Sequence, residues 1–281
     1  MKNLILHSMI LVMDFLLVHG KMKNNNILIT VNKNIDINKL KELGITKFAF
    51  PLKGFCVGIP DTFLISEINT EAYIYVNRIF DNEGIDKLKE VIYNLPKNIK
   101  GIIFDDLGVL QILKDINIEK ILYLTHFNNN TLSVNYYLTL VDSVILSTDI
   151  TMDEIDYIIQ NSNKLISLFT FGYVMAMYSR RKLLTNYTNY HNLEYQNKLV
   201  IDNTNKKFIV YENEFGTVMY HDKVFNGYSL LAKNCLYNFI NSTFLTTEDV
   251  INFLTGTVNK EWDEGFLYQE TIYRLKGDLN D

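Results

Sequence analysis

Cysteine and proline are scarce in this 281-residue chain, which has two cysteines and three prolines. Cys56 and Cys235 are far apart in the sequence, so they provide neither a metal-binding pair nor a disulfide framework. The five histidines lack the HxH and HxxxH spacings of zinc ligands. Three prolines and 13 glycines also argue against disorder. We therefore expect a folded, reduced, cytoplasmic protein without a metal site.

Excess positive charge is also absent, because the net charge is −5 and the isoelectric point is about 5.6. Such a surface does not attract polyanions as a whole, so any nucleic acid must be bound locally. The composition is 48% hydrophobic, which is enough to bury a large core in a chain of this length.

Residues 1–25 are predicted to be an extension that precedes a single barrel domain over residues 26–281. Lys2 and the apolar run after it are similar to a signal peptide or anchor, but Asp14 interrupts the run. The uncharged stretch is shorter than the ~20 residues that span a membrane. Met22 restarts the sequence in a way typical of a β-first domain. An over-extended start is favoured over a docking helix or an anchor, and we do not expect membrane binding.

Short apolar runs alternate with amphipathic stretches from Ile27 onward, as expected for buried parallel strands and their helices. Seven such repeats and a possible eighth strand predict an α/β fold, a (β/α)8 TIM-like barrel. A doubly wound open sheet is the alternative, but no Gly-rich phosphate loop follows the first strand. The predicted strands are 27–31, 47–51, 72–76, 101–104, 120–125, 143–147, 165–171 and 235–240, and the predicted helices are 37–43, 84–95, 108–116, 151–161 and 246–256.

A β-rich insertion is predicted at about residues 185–228, between strands 7 and 8. Its sequence KLVIDNTNKKFIVYENEFGTVMY has two alternating runs separated by the turn residues 203–205. In a barrel, an insertion in a βα loop lies over the C-terminal mouth.

Polar residues follow most predicted strands and should converge at that mouth, where barrel enzymes have their active sites. For Asp106 and Asp149, helix capping is the favoured interpretation over acid–base chemistry. His126 is as consistent with a hydrogen-bonded loop residue as with a titrating group. The catalytic candidates are Asn77, Asp106, His126, Asp149 and Glu214.

A dense basic cluster follows the seventh strand and is predicted to bind an anion. Arg180 and Arg181 offer bidentate geometry to a carboxylate or phosphate, with Lys182 and Tyr178 beside them. If these residues lie on a helix, at most two of the three charged side chains face one ligand. The alternative is a solvated helix end.

Several segments resemble, in the same order, those of the peptidase U32 family, the collagenase-like peptidases, over about residues 26–275. The segments are YIYVNRIFDNEGIDKLKEVI, GIIFDDLGVLQILKD, VILSTDITMDEI, LFTFGYVMAMYSRRKLLTNY, YENEFGTVMYHDK and GFLYQETIY. The SRRKLLTNY ending is most similar to short tRNA hydroxylation proteins of low-GC bacteria. This resemblance implies a barrel fold, formation of 5-hydroxyuridine at the tRNA wobble position, and an organic acid such as prephenate as substrate.

Relatives with a complete cysteine set are implied to hold an iron–sulfur cluster, but the matching signature positions here are Met175 and Lys182, and Ser167 replaces a glutamate. Thioether and ammonium groups do not replace thiolate ligands. We therefore expect no cluster and no other cofactor.

Three hypotheses follow. The first is a cluster-free tRNA-modification enzyme or partner subunit, with tRNA, a small organic anion or a larger cysteine-complete paralogue as its partners. The second is a non-catalytic scaffold, and the third is a peptidase. Because no Cys/His or Ser/His/Asp arrangement has a recognisable spacing, the peptidase ranks last, and whether the chain is itself an enzyme stays open.

Overall fold

The chain folds into a closed barrel of eight parallel strands. The computed structural model describes residues 26–125, 130–203 and 206–270. The strands pair in chain order, and the last one closes the ring by pairing with both the first and the seventh. The predicted (β/α)8 TIM-like barrel is therefore confirmed. The first seven strands are β1 (Ile27–Thr30), β2 (Lys47–Pro51), β3 (Ala72–Val76), β4 (Ile99–Phe104), β5 (Glu119–Tyr123), β6 (Ser143–Leu146) and β7 (Ser167–Ser179).

Helices cover the outside of the barrel, and polar residues cap most of their N-termini. Asp81, for example, accepts a hydrogen bond from the Gly84 amide, and Thr151 forms a capping box with Glu154, as its sequence indicates. The helices are α1 (Ile37–Glu42), α2 (Asn82–Tyr93), α3 (Gly108–Leu113), α4 (Thr131–Leu138), α5 (Met152–Asn161), α6 (Leu183–His191) and α7 (Thr247–Leu254).

The seventh strand continues past the barrel and begins a second sheet. It is 13 residues long, whereas the sequence pattern predicted its end at residue 171. Gly172, where φ is +142°, lies so close to the Asn241 carbonyl that an added Cβ would be 2.4 Å from that oxygen. The continuation pairs with β10, which pairs with β9, which pairs with β8. This β-rich insertion between the seventh and eighth barrel strands is the one that the sequence predicted. Its strands are β8 (Lys198–Asn203), β9 (Lys206–Asn213) and β10 (Gly216–Asn226), and they are followed by the last barrel strand β11 (Asn238–Ile240) and by β12 (Trp262–Asp263).

The continuation of β7 and strands β8–β10 form a roof over the C-terminal mouth. The roof packs on the loop after β2, where Tyr220 Oη donates to the Gly58 carbonyl over 3.0 Å. The side-chain amide of Asn213 likewise donates, through Nδ2, to the Cys56 carbonyl over 3.0 Å. A small apolar cluster that includes Val57, Val218 and Tyr220 fills the contact. The mouth is therefore covered on this side.

The predicted N-terminal extension over residues 1–25 lies outside the described residues. Within the described ranges, none of the helices has the length and apolar character needed to cross a membrane.

Candidate functional site in the barrel mouth

The alternation of side chains along β4 places one carboxyl group, that of Asp105, inside the mouth of the barrel. Tyr73 on β3 points inward, because its hydroxyl bonds to Glu119 over 2.6 Å and to Tyr237 over 3.0 Å. Gly101 on β4 faces that ring, since a Cβ there would be 2.6 Å from it. Side chains alternate along a strand, so Asp105, four residues further on, points inward as well. A cavity of about 20 Å³ lies there, which is room for about one water molecule. Its lining is Tyr75, Asn77, Asp105, Tyr123, Thr125, Tyr173, Val174, Met175, Tyr220 and Asn241.

Asp105 carries an unsatisfied oxygen in this cavity. Its Oδ1 is buried, and no hydrogen-bond partner for it is found among the described residues. Burial raises the pKa of the Asp105 carboxyl to about 7, and the neighbouring charge of Asp106 adds to the rise. The group therefore changes between a hydrogen-bond donor and a negatively charged acceptor near neutral pH. A carboxyl in that state is suited to move a proton or to bind a polar ligand atom.

Neutral hydroxyl and thiol groups surround Asp105. Burial raises the pKa of Tyr75 and of Tyr123 far above the usual range, so both remain phenols. Burial also raises the pKa of the Cys56 thiol to about 12, and its Sγ donates to the Tyr75 carbonyl over 3.1 Å. Asp105 is thus the ionisable group of this cavity near neutral pH. In the sequence, Asp105 is one of two adjacent aspartates. The alternation of side chains along β4 indicates that Asp105, and not Asp106, points into the barrel.

Two of the predicted candidates hold the mouth loops in place. Asp106 Oδ1 accepts from the Gly108 amide over 2.7 Å, and its Oδ2 accepts from the Phe80 amide over 2.9 Å. Asn77 lines the Asp105 cavity, but both ends of its side-chain amide bond to the backbone of Val57 over 3.0 Å. Their polar atoms are therefore engaged in local structure.

The other three catalytic candidates do not come together at the cavity. Asp149 is exposed, and its Oδ2 accepts from Ser147 Oγ over 2.8 Å. Glu214 is exposed in the turn between β9 and β10. His126 lies outside the described residues.

The buried acid of the roof is Glu212, two residues before Glu214. Glu212 is only 2% exposed, and its carboxylate accepts from the Leu184 amide over 2.7 Å and from the Thr217 hydroxyl over 2.8 Å. The Thr185 amide and hydroxyl also donate to it. Burial raises the pKa of Glu212, but these hydrogen bonds outweigh burial and hold the pKa below its usual range. Glu212 therefore occupies the N-terminus of α6 as a carboxylate at neutral pH.

The basic cluster lies in the turn between β7 and α6 rather than on a helix. Arg180 Nη2 contacts Asp81 Oδ2 over 3.0 Å, and Asp81 Oδ1 lies 3.5 Å from Arg78 Nη2. Asp81 thus joins two arginines at the rim of the mouth. Arg181 and Lys182 are exposed, and no ion pair is found for either among the described residues.

Tyr178, the remaining predicted anion ligand, lies on β7 just before this turn. Its hydroxyl is buried beside the backbone of Ile79. Burial raises the pKa of Tyr178, against the opposing effect of Arg180 and Arg78, so the hydroxyl is a neutral donor near two cations. The rim therefore offers an anionic ligand the exposed charges of Arg181 and Lys182, whereas the Tyr178 hydroxyl is enclosed behind them.

The side chains present do not fit an iron–sulfur cluster. Met175 lines the Asp105 cavity, whereas Lys182 is exposed in the turn beyond β7. Cys56 follows β2 at the C-terminal end of the barrel, and Cys235 precedes β11 at the opposite end, next to Asn26. Two protonated thiols at opposite ends of a barrel cannot ligate one cluster.

Taken together, the fold and the site define a (β/α)8 barrel with a roofed, polar mouth and, at its centre, a half-buried acid with one buried oxygen. The profile described as peptidase family U32 matches residues 63–197, which run from the loop after β2 to the segment before β8. This match supports membership of that family. It does not distinguish tRNA hydroxylation proteins from other members.

A solved structure, that of the U32 peptidase Mk0906, is similar to 77% of this chain and 92% of its own, with a TM-score of 0.46 and 9% sequence identity. At that distance the likeness adds nothing about activity. No curated protein matches the sequence.

Proposed function

We propose that the protein acts in hydroxylation of the tRNA wobble uridine to 5-hydroxyuridine, without an iron–sulfur cluster, as an enzyme or as the partner of a cysteine-complete paralogue. The observation that carries this proposal is the position of the basic turn. Arg180 is tied to the rim through Asp81, so Arg181 and Lys182 are presented at the mouth with their charges unpaired among the described residues.

Local presentation of positive charge matters because the whole chain has a net charge of −5. An acidic protein binds RNA only where its few cations are concentrated, and phosphate contacts there lose affinity as salt rises. The same turn suits the carboxylate of a small organic acid, which Arg181 and Lys182 would bind.

A non-catalytic binding role is the second candidate, and one observation favours it. With the roof in place, the cavity beside Asp105 has a volume of about 20 Å³, which is too small for an organic acid or a base. The peptidase reading has less support, because the buried Cys56 thiol, with its pKa raised to about 12, is a poor nucleophile.

Deletion of the gene, followed by mass spectrometry of tRNA nucleosides, tests the proposal. We expect 5-hydroxyuridine to disappear in a strain without other family members, and wild-type protein to restore it. Arg181→Ala with Lys182→Ala should fail to restore it. The matched control is Lys97→Ala with Lys114→Ala, two exposed lysines at the other end of the barrel.

Unchanged 5-hydroxyuridine in the deletion strain would reject the tRNA role. Co-purification with a larger family member, together with no turnover by the isolated chain, would assign the partner role instead of the enzyme.

A further inference from the structure

A second cleft of the described structure lies outside the cavity that contains Asp105. It has a volume of about 530 Å³, within the range of small-molecule sites. We call it the outer cleft. It lies between the rim after β6, the outer part of the roof and the segment around β12. Its lining is Thr148, Asp149, Val174, Lys206, Lys207, His221, Asp222, Lys223, Phe225, Glu261, Asp263, Gly265, Phe266 and Gln269.

Charges of opposite sign come from different walls of the outer cleft. All of its lysines, and His221, belong to strands β9 and β10 of the roof. Three of its four acids come from elsewhere, Asp149 from the rim and Glu261 and Asp263 from the segment around β12. The pairing of β12 with β10 holds the second wall beside the first. Two walls of mainly opposite charge therefore line one space.

These charges are available to a ligand. Within the described ranges, no ion pair is found for Lys207, Lys223 or Glu261, although all three line the same cleft. The lining also has apolar side chains, those of Val174, Phe225 and the exposed Phe266, which we call the apolar floor. Val174 also lines the cavity beside Asp105, so the cleft and that cavity are neighbours.

We propose that the outer cleft binds a zwitterionic ligand, an amino acid or short peptide with an apolar side chain. The carboxylate of the ligand would contact the lysines of the roof, and its ammonium group would contact the acids of the opposite wall. Its side chain would pack on the apolar floor. The acidic wall would repel a purely anionic ligand, and the lysines would repel a purely cationic ligand. A ligand with only one of the two charges should therefore bind more weakly than the zwitterion. This inference is independent of the tRNA proposal.

Binding of matched small molecules, measured by isothermal titration calorimetry at low salt, tests the inference. The probes are L-phenylalanine and glycyl-L-phenylalanine, with 3-phenylpropionate lacking the amine and phenethylamine lacking the carboxylate. We expect saturable binding of at least one zwitterion, and at least about tenfold weaker binding of both half-analogues, since each loses a charge-assisted contact.

Two single substitutions test which wall binds the carboxylate and which wall binds the ammonium group. Lys207→Met should weaken binding of the zwitterion and of 3-phenylpropionate but not of phenethylamine. Glu261→Gln should weaken binding of the zwitterion and of phenethylamine but not of 3-phenylpropionate. Lys97→Ala, at the far end of the barrel, is the control and should bind like the wild type.

Failure of both zwitterions to bind at millimolar concentration would overturn the inference. Equal or tighter binding of 3-phenylpropionate would also overturn it, and would identify an anion site instead. Neither result bears on tRNA hydroxylation, which the nucleoside analysis tests separately.

Discussion

Asp105 and Asp106 are adjacent in the sequence, yet their carboxyl groups differ in burial and hydrogen bonding. Asp105 Oδ1 is buried beside the barrel cavity without a described hydrogen-bond partner. Asp106 accepts backbone hydrogen bonds from Gly108 and Phe80. The two residues therefore provide a matched pair, in which one carboxyl is available for chemistry and the other supports the loop.

Asp105→Asn should change how stability depends on pH. The folded-state pKa of Asp105 is about 7, above the ordinary value of 3.8, so the folded state holds the proton more tightly than the unfolded state. Stability from this group is therefore fully present below about pH 4 and lost as pH rises towards 7. Asn removes that loss, so the variant should gain stability relative to wild type at pH 7 and above, by up to a few kcal/mol.

Urea unfolding at a series of pH values measures the effect, and Asp106→Asn is the control. Asp106→Asn should lower stability by about 1 kcal/mol by weakening its two backbone hydrogen bonds. A pH profile for Asp105→Asn that runs parallel to the wild-type profile would refute the raised pKa.

Glu212 and Glu214 are a second pair of near neighbours with different environments. Glu212→Ala leaves several buried donors unsatisfied at the N-terminus of α6, so we expect a loss of roughly 2–4 kcal/mol. Glu214 is exposed, and Glu214→Ala should change stability by less than about 0.5 kcal/mol. Equal effects of the two substitutions in urea unfolding would contradict the assigned roles.

The pH dependence of the Glu212 contribution has the opposite sign to that of Asp105. Its folded-state pKa is lowered, so its stabilisation is present above the unfolded value of 4.5 and is lost as pH falls through the folded value. The stability difference between the wild type and Glu212→Ala should therefore shrink in acid.

The barrel was predictable because its strands are buried on both faces and read as continuous apolar runs, with capping residues marking helices such as α5. Helix α4 was missed because its apolar residues do not lie on one side. Val134 and Leu138 are buried, but Leu132 and Tyr136 are exposed. A pattern without a clear polar face gives no helical periodicity to detect.

The site was less predictable than the fold, because it depends on which way each strand-end residue points. Glu214 was preferred to Glu212, and Asp106 to Asp105, since both members of each pair look alike in sequence. The long β7 was missed because Gly172 interrupts the run FGYVMAMYS, and a strand often ends at a glycine. Pairing with β10, which is distant in sequence, extends the strand.

Cys56 and Cys235 should both be inert in the native protein. Burial raises the pKa of each thiol to about 12, so little thiolate is present at neutral pH. Labelling with a thiol reagent at pH 7 should be slow for both and should become fast for both in denaturant. Cys56→Ser and Cys235→Ser separate the two signals, and rapid labelling of either residue in the native state would show an access route to it that the structure lacks.

The substitutions Gly54→Ala and Gly58→Ala test how firmly the roof is held against the loop after β2. Both have positive φ, +89° and +74°, so alanine costs each position a similar backbone strain of about 1 kcal/mol. A Cβ at position 54 meets open space, whereas one at position 58 would lie 2.6 Å from the side chain of Val218 in the roof. Gly58→Ala should therefore cost about 1–3 kcal/mol more than Gly54→Ala in urea unfolding. It should also increase hydrogen exchange of the β9–β10 amides, because the added methyl group pushes the roof away from the loop. If the two variants match in both measurements, the contact between Gly58 and Val218 does not fix the roof.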